Sequence, residues 1–68
     1  MTLIEFIEHI KHNSLKISVI YNNNIVYDNS IGSYKHWVNR SMYDYIGILE
    51  IRPSIQTKDY LFIILVNN

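Results

Sequence analysis

A chain of 68 residues is long enough for one domain, so we treat residues 1–68 as a single domain. Six basic residues balance six acidic ones, which disfavours both a nucleic-acid binder with a basic excess and a DNA mimic with an acidic excess. The chain has no cysteine, which excludes disulfides and Cys-ligated zinc. Domains of this size usually need disulfides, a bound metal or oligomerisation to stabilise them, and oligomerisation is the option that remains.

The N-terminal segment favours neither export nor membrane insertion. Glu5 and Glu8 interrupt its apolar residues, and no basic region precedes a long apolar core, so it does not resemble a signal peptide. No apolar run in the sequence approaches the roughly 18 residues that cross a bilayer. We therefore expect a cytoplasmic protein without a membrane partner.

The first predicted element is an amphipathic helix over residues 3–12. Thr2 and Glu5 have the spacing of a capping box, in which the hydroxyl and the carboxylate each accept a hydrogen bond from the other residue's backbone N–H. Apolar residues then recur at the spacing of one helical face, at Leu3, Phe6, Ile7 and Ile10.

A β-hairpin is predicted next. Residues 15–21 largely alternate in polarity, which is typical of a strand with one face buried. Three asparagines at 22–24 tolerate the left-handed backbone of a tight turn, and strand-forming residues resume at 25–27. The turn-rich cluster 28–30 ends the second strand.

The second half repeats the order of helix and hairpin. Ser33 is a candidate N-cap for a helix over residues 34–41. A strand over 45–51 ends near Pro53, which cannot donate to a sheet, and residues 54–59 form a loop.

The last strand, residues 60–66, consists of seven consecutive apolar or aromatic residues. Because it does not alternate in polarity, both of its faces need cover, and we place it centrally. The order α-β-β-α-β-β predicts an α+β fold, with a four-stranded antiparallel sheet and two helices packed on one face.

Two helices on one face leave part of the last strand uncovered. The uncovered set is either Leu61, Ile63 and Leu65, or Tyr60, Phe62, Ile64 and Val66. Three such side chains correspond to roughly 5–9 kcal/mol of burial that a monomer does not realise. We therefore expect a homodimer or an obligatory partner, and we name the second set as the candidate oligomer interface: Tyr60, Phe62, Ile64 and Val66.

A second candidate surface is rich in aromatic residues and arginine, the types enriched at interface hot spots. We expect it to bind a partner protein through Tyr34, Trp37, Arg40, Tyr43, Asp44 and Tyr45. The alternative is that Tyr34, Trp37 and Val38 only pack the second helix on the sheet.

The sequence offers little chemistry for a metal site or for catalysis. His9 and His12 lie three residues apart, with His36 as the remaining nitrogen donor, and a structural zinc site needs four protein ligands. No nucleophile elbow, phosphate loop or dinucleotide turn is present, and the acidic residues are scattered. We expect no metal, no cofactor and no enzymatic activity.

Three segments together resemble small proteins from phages and mobile elements of low-GC Gram-positive bacteria. They are the opening helix from Thr2 to Ile7, the strand–Asn turn–strand ending at Asp28, and the closing strand pair 46–51 and 60–66. Some phage proteins of this size disable host defence, and anti-CRISPR proteins are among them. The resemblance implies a non-enzymatic inhibitor in the host cytoplasm that binds and occludes a host protein.

The alternative function is an oligomeric sponge that sequesters a nucleotide signal between subunits. Tyr or Trp would stack on the base, and Arg40 or Arg52 would bind the phosphate. The absence of a Gly-rich anion loop speaks against it.

Overall fold

The elements follow the predicted order α-β-β-α-β-β in a computed structural model that describes residues 1–67. They form an α+β fold with a four-stranded sheet. Its elements are α1 (Leu3–His9), β1 (Lys16–Tyr21), β2 (Asn24–Ser30), α2 (Ile31–Tyr34), a 3-10 turn (Arg40–Met42), β3 (Ile48–Pro53) and β4 (Tyr60–Leu65).

Helix α1 begins with the predicted capping box. The Thr2 hydroxyl accepts from the Glu5 N–H at 3.3 Å, and the Glu5 carboxylate accepts from the Thr2 N–H at 2.9 Å. The latter bond lowers the pKa of Glu5. The helix ends at His9, not at residue 12, because the chain turns back toward β1 and the Asn13 carbonyl accepts from the Gly32 N–H at 2.9 Å.

The predicted hairpin is present. Asn22 and Asn23 form its two-residue turn with φ of 50° and 65°, the left-handed region that asparagine tolerates. Strands β1 and β2 pair antiparallel, with one irregularity between Val19 and Ile20.

Helix α2 differs from the prediction in both position and length. It begins at Ile31, with Ser30 as its N-cap in place of Ser33, and it ends after one turn at Tyr34. The Arg40 guanidinium donates to the Lys35 carbonyl at 2.9 Å. This carbonyl therefore accepts from a side chain and not from the backbone N–H that a longer helix would supply. The residues that follow Tyr34 also include poor helix formers, so nothing local prolongs the helix.

Strand β4 lies centrally, as expected, in the order β2-β1-β4-β3. The sheet is mixed, however, and not wholly antiparallel, because β4 runs parallel to β1. Residues 31–47 carry the chain from one end of the sheet to the other: the Ile31 N–H donates to the Leu15 carbonyl, and the Ile46 carbonyl accepts from the Leu3 N–H. This connection makes β3 run parallel to β2 and therefore opposite to β1. Because β4 pairs antiparallel with β3, β4 runs in the same direction as β1.

Strand β3 starts at Ile48, three residues later than predicted. The carbonyls of Asp44 and Ile46 accept from the N–H groups of Ile4 and Leu3 at 2.8 and 3.0 Å, which satisfies two donors of the first turn of α1. Asp44 and Ile46 are therefore bonded to a helix terminus and not to β4.

Both helices pack on the same face of the sheet. The buried cluster combines helix residues with every second residue of the central strands, and it contains Leu3, Ile7, Ile17, Val19, Tyr27, Ile31, Tyr34, Ile63 and Leu65. Within residues 1–67, neither helix contributes to the opposite face, which we call the open face.

Candidate functional site

The aromatic segment, residues 34–45, is held in place by a buried polar network. The Tyr34 hydroxyl donates to Asp44 Oδ1 at 2.8 Å, and Arg40 Nε donates to Asp44 Oδ2 at 3.1 Å. Burial raises the pKa of Tyr34, and the hydrogen bond to Asp44 raises that pKa further. Tyr34 is fully buried and Asp44 is 6% exposed, so these two residues position the segment and are not available for direct contact with a partner.

The rings of this segment pack on one another. Trp37 stacks on Tyr43 with centroids 5.6 Å apart and an interplanar angle of 4°. Trp37 also lies against Tyr34 and Tyr27, at 5.8 and 5.0 Å. Both Trp37 and Tyr43 are half-buried and pack against the core.

The exposed residues of the aromatic segment differ from the predicted set and include three large apolar or aromatic side chains beside the polar His36, Asn39 and Ser41. Tyr45 is 79% exposed, as a contact residue should be. Val38 and Met42 are 85% and 64% exposed, so Val38 does not pack on the sheet as the alternative interpretation required, and Met42 was not among the candidate residues. The end of α2 at Tyr34 turns both outward, and no sequence pattern indicated where that helix would end.

The open face carries the interface residues named from the sequence. Tyr60, Phe62 and Ile64 lie on it and are half-buried, while their neighbours Ile63 and Leu65 are fully buried under the helices. Ile20 of β1 pairs with Ile64 and extends the apolar surface toward β2. Val66 follows the end of β4, and its N–H donates to the Gly47 carbonyl at 2.9 Å.

Three polar side chains meet at one end of the open face. The Ser18 hydroxyl donates to Asp28 Oδ1 at 3.1 Å and lies 2.6 Å from the Tyr60 hydroxyl, which also bonds Asp28. The hydrogen bond to Asp28 raises the pKa of Tyr60. Each polar group has a partner, so the cluster fixes the Tyr60 ring and needs no ligand.

A hollow of about 480 Å³ opens on the same face. Its floor is apolar (Ile20, Phe62 and Ile64), and residues 52–56 form its wall. Arg52 in that wall forms an ion pair with Glu50, which lowers the pKa of Glu50 and raises that of Arg52.

The histidines considered as metal ligands do not form a cluster. His9 lies in the last turn of α1, and His12 lies beyond the end of that helix. Among residues 1–67, no three His, Cys, Asp or Glu side chains converge on a common point. In the same part of the chain, no helix combines the length and apolar character needed to cross a bilayer.

Comparison with protein-family models, with curated proteins and with solved structures gives no match for this chain. Its function is therefore argued from the two surfaces described above.

Proposed function

We propose that this protein acts by binding another protein, without catalysing a reaction, as a homodimer joined through the open faces of two sheets. The observation that carries the proposal is the uncovered apolar floor of that face, formed by Ile20, Phe62 and Ile64. A partner sheet packed on this floor would bury the apolar surface that a single chain leaves in contact with solvent.

The size of the open face sets the strength to expect. Four strands about 4.8 Å apart and about six residues long form a sheet of roughly 19 by 20 Å. Its flat area is about 400 Å² per copy, and the protruding side chains add further surface to it. Two copies therefore bury on the order of 1,000 Å², near the lower end for specific interfaces. We expect a dimer with a dissociation constant in the micromolar range.

The surface for the other protein is the exposed edge of the aromatic segment. Val38, Met42 and Tyr45 present apolar side chains to solvent on a segment that Asp44, Tyr34 and Arg40 hold in place. Because the backbone of this segment is already fixed, little conformational entropy is lost when it binds a partner. The resemblance to small phage proteins favours a host protein in the cytoplasm as the target, with anti-phage defence proteins such as CRISPR effectors as the first candidates.

Dimerisation is tested by light scattering after size exclusion. The wild type should elute at twice its 8.1 kDa mass, and Ile64→Lys should elute as a folded monomer with an unchanged circular dichroism spectrum. The matched variant Ile63→Lys places its charge under the helices and should unfold the chain, because Ile63 is fully buried. A wild type that remains monomeric at protein concentrations up to about 1 mM contradicts the dimer.

Partner binding is tested separately by affinity capture from a lysate of a low-GC Gram-positive bacterium. A stoichiometric partner should be retained by the wild type and lost with Met42→Asp or Tyr45→Ala. Leu49→Asp serves as the control, since Leu49 is an exposed aliphatic residue outside the aromatic segment. Recovery of no stoichiometric partner, or equal loss with the control, counts against the proposal.

A nucleotide sponge is the second candidate, because Arg52 and Phe62 both line the hollow. Both arginines are ion-paired, but Arg40 is held by the buried Asp44 and the Lys35 carbonyl, whereas Arg52 bonds only the exposed Glu50, so Arg52 is the better phosphate ligand of the two. A thermal-shift panel of linear and cyclic nucleotides separates the candidates, since ligand at 100 times its dissociation constant adds about 2.7 kcal/mol of stability. A shift that Arg52→Gln abolishes supports the sponge, and no shift with any nucleotide excludes it.

A further inference from the structure

Loop 54–59 displays one apolar side chain beside the hollow. Ile55 is 98% exposed and belongs to the wall of the hollow. The loop around it is ordered by hydrogen bonds, because the Ser54 hydroxyl accepts from the N–H groups of Gln56 and Thr57 at 3.3 and 3.2 Å. The Ser54 N–H also donates to the Tyr60 carbonyl at 3.0 Å, which anchors the loop to β4.

The hollow is large enough to receive such a side chain. Its volume of about 480 Å³ is roughly three times that of an engineered apolar cavity of ~150 Å³ that binds benzene. Its floor of Ile20, Phe62 and Ile64 offers only apolar atoms below the entering group.

We infer that Ile55 of each copy inserts into the hollow of the other copy in a two-fold symmetric dimer. The inference rests on the proposed homodimer and names the contact that fixes its geometry. In a two-fold interface, a contact made by one copy is repeated by the other. Because Ile55 and the hollow are adjacent on one face, a single axis near the loop forms both insertions at once.

The charges beside the hollow favour a second copy over an anionic ligand. Glu50 and Arg52 lie two residues apart on β3 and form an ion pair. The Glu50 carboxylate would repel a phosphate brought to Arg52. In a two-fold pair, by contrast, Glu50 of one copy can face Arg52 of the other, and chains of zero formal charge do not repel each other.

The first test removes the inserted side chain. Ile55→Ala should raise the dimer dissociation constant by roughly 100-fold, since two buried aliphatic side chains are lost from each dimer. Val38→Ala removes an exposed aliphatic side chain outside the hollow and should change that constant less than about twofold. Equal effects of the two variants overturn the insertion.

The second test locates Ile55 directly and uses the absence of native cysteine. Ile55→Cys chains mixed with Ile20→Cys chains and oxidised should give a disulfide between residue 55 of one chain and residue 20 of the other, identified by the mass of the linked peptides after proteolysis. Val38→Cys mixed with Ile20→Cys is the control and should give none.

The outcomes separate this inference from the proposed dimer. A dimer that Ile64→Lys disrupts, but that Ile55→Ala leaves intact and Ile55→Cys does not crosslink, overturns the insertion and leaves the open-face interface standing. A wild type that is monomeric throughout overturns both.

Discussion

At the residue scale, Asp44 explains why the aromatic segment adopts one conformation although only one 3-10 turn lies beyond the end of α2. Its carboxylate accepts from Tyr34 and Arg40, and its backbone carbonyl accepts from the Ile4 N–H at the start of α1. One residue thus joins the segment to α2 and to α1. The predicted partner-binding set divides accordingly, since Tyr34 and Asp44 hold the segment and Tyr45 is free to make contacts.

We expect Tyr34→Phe to lower the free energy of unfolding by about 1 kcal/mol at pH 7, because it removes one hydrogen bond and leaves the ring in place. The folded-state pKa of Tyr34 lies above its ordinary value near 10, so its stabilisation is complete below pH 10 and is lost as the pH rises through the folded-state pKa. The loss approaches 1.4 kcal/mol per pH unit for one tyrosine.

Urea unfolding of both proteins between pH 7 and about pH 11 tests this linkage. The stability difference between wild type and Tyr34→Phe should stay constant up to pH 10 and then shrink. A difference that remains constant to pH 11 would mean that the hydroxyl is not buried against Asp44.

At the scale of elements, the edge strand β3 is protected against pairing with another strand. Strand β3 ends in Pro53, which has no N–H to donate, and it carries an irregularity between Ile48 and Glu50. The Ile48 N–H is already bound by the Met1 carbonyl at 2.8 Å. These features discourage pairing of β3 with another strand, which disfavours assembly through this edge of the sheet.

The hairpin is the element that depends most on its own turn. Asn23→Gly should raise the free energy of unfolding by about 0.5 kcal/mol, since glycine adopts a φ of 65° without steric cost. Asn23→Ala should lower it by about 1 kcal/mol, because alanine is disfavoured in that region. Thermal unfolding at fixed protein concentration measures both, with Asn39→Ala, at a negative φ, as the control. Equal effects at positions 23 and 39 would contradict the turn argument.

At the scale of the whole molecule, a neutral chain with an apolar face should assemble with little dependence on salt. The dimer dissociation constant should change less than about threefold between 0.05 and 0.5 M NaCl, because exposed ion pairs such as Glu50–Arg52 contribute little. Sedimentation equilibrium at three salt concentrations measures it. A tenfold weakening at high salt would mean that charge, and not the apolar floor, holds the two copies together.

The sequence by itself determined the elements that have a local cause. The capping box begins α1, consecutive asparagines turn the hairpin, and an apolar run without alternation places β4 in the centre of the sheet. It also named Tyr60, Phe62 and Ile64 as one set, because alternate residues of a strand share a face. What it left open was which of the two faces the helices cover.

Tertiary contacts alone decided the rest. The length of α2, the late start of β3 and the parallel pairing of β1 with β4 depend on bonds between distant residues, such as Leu3 to Ile46 and Ile31 to Leu15. The periodicity of apolar residues indicates which side of an element is apolar. It does not predict the direction of a strand or the residue at which a tertiary hydrogen bond ends a helix. For the same reason Val38 and Met42, apolar by composition, are exposed only because the chain turns after Tyr34.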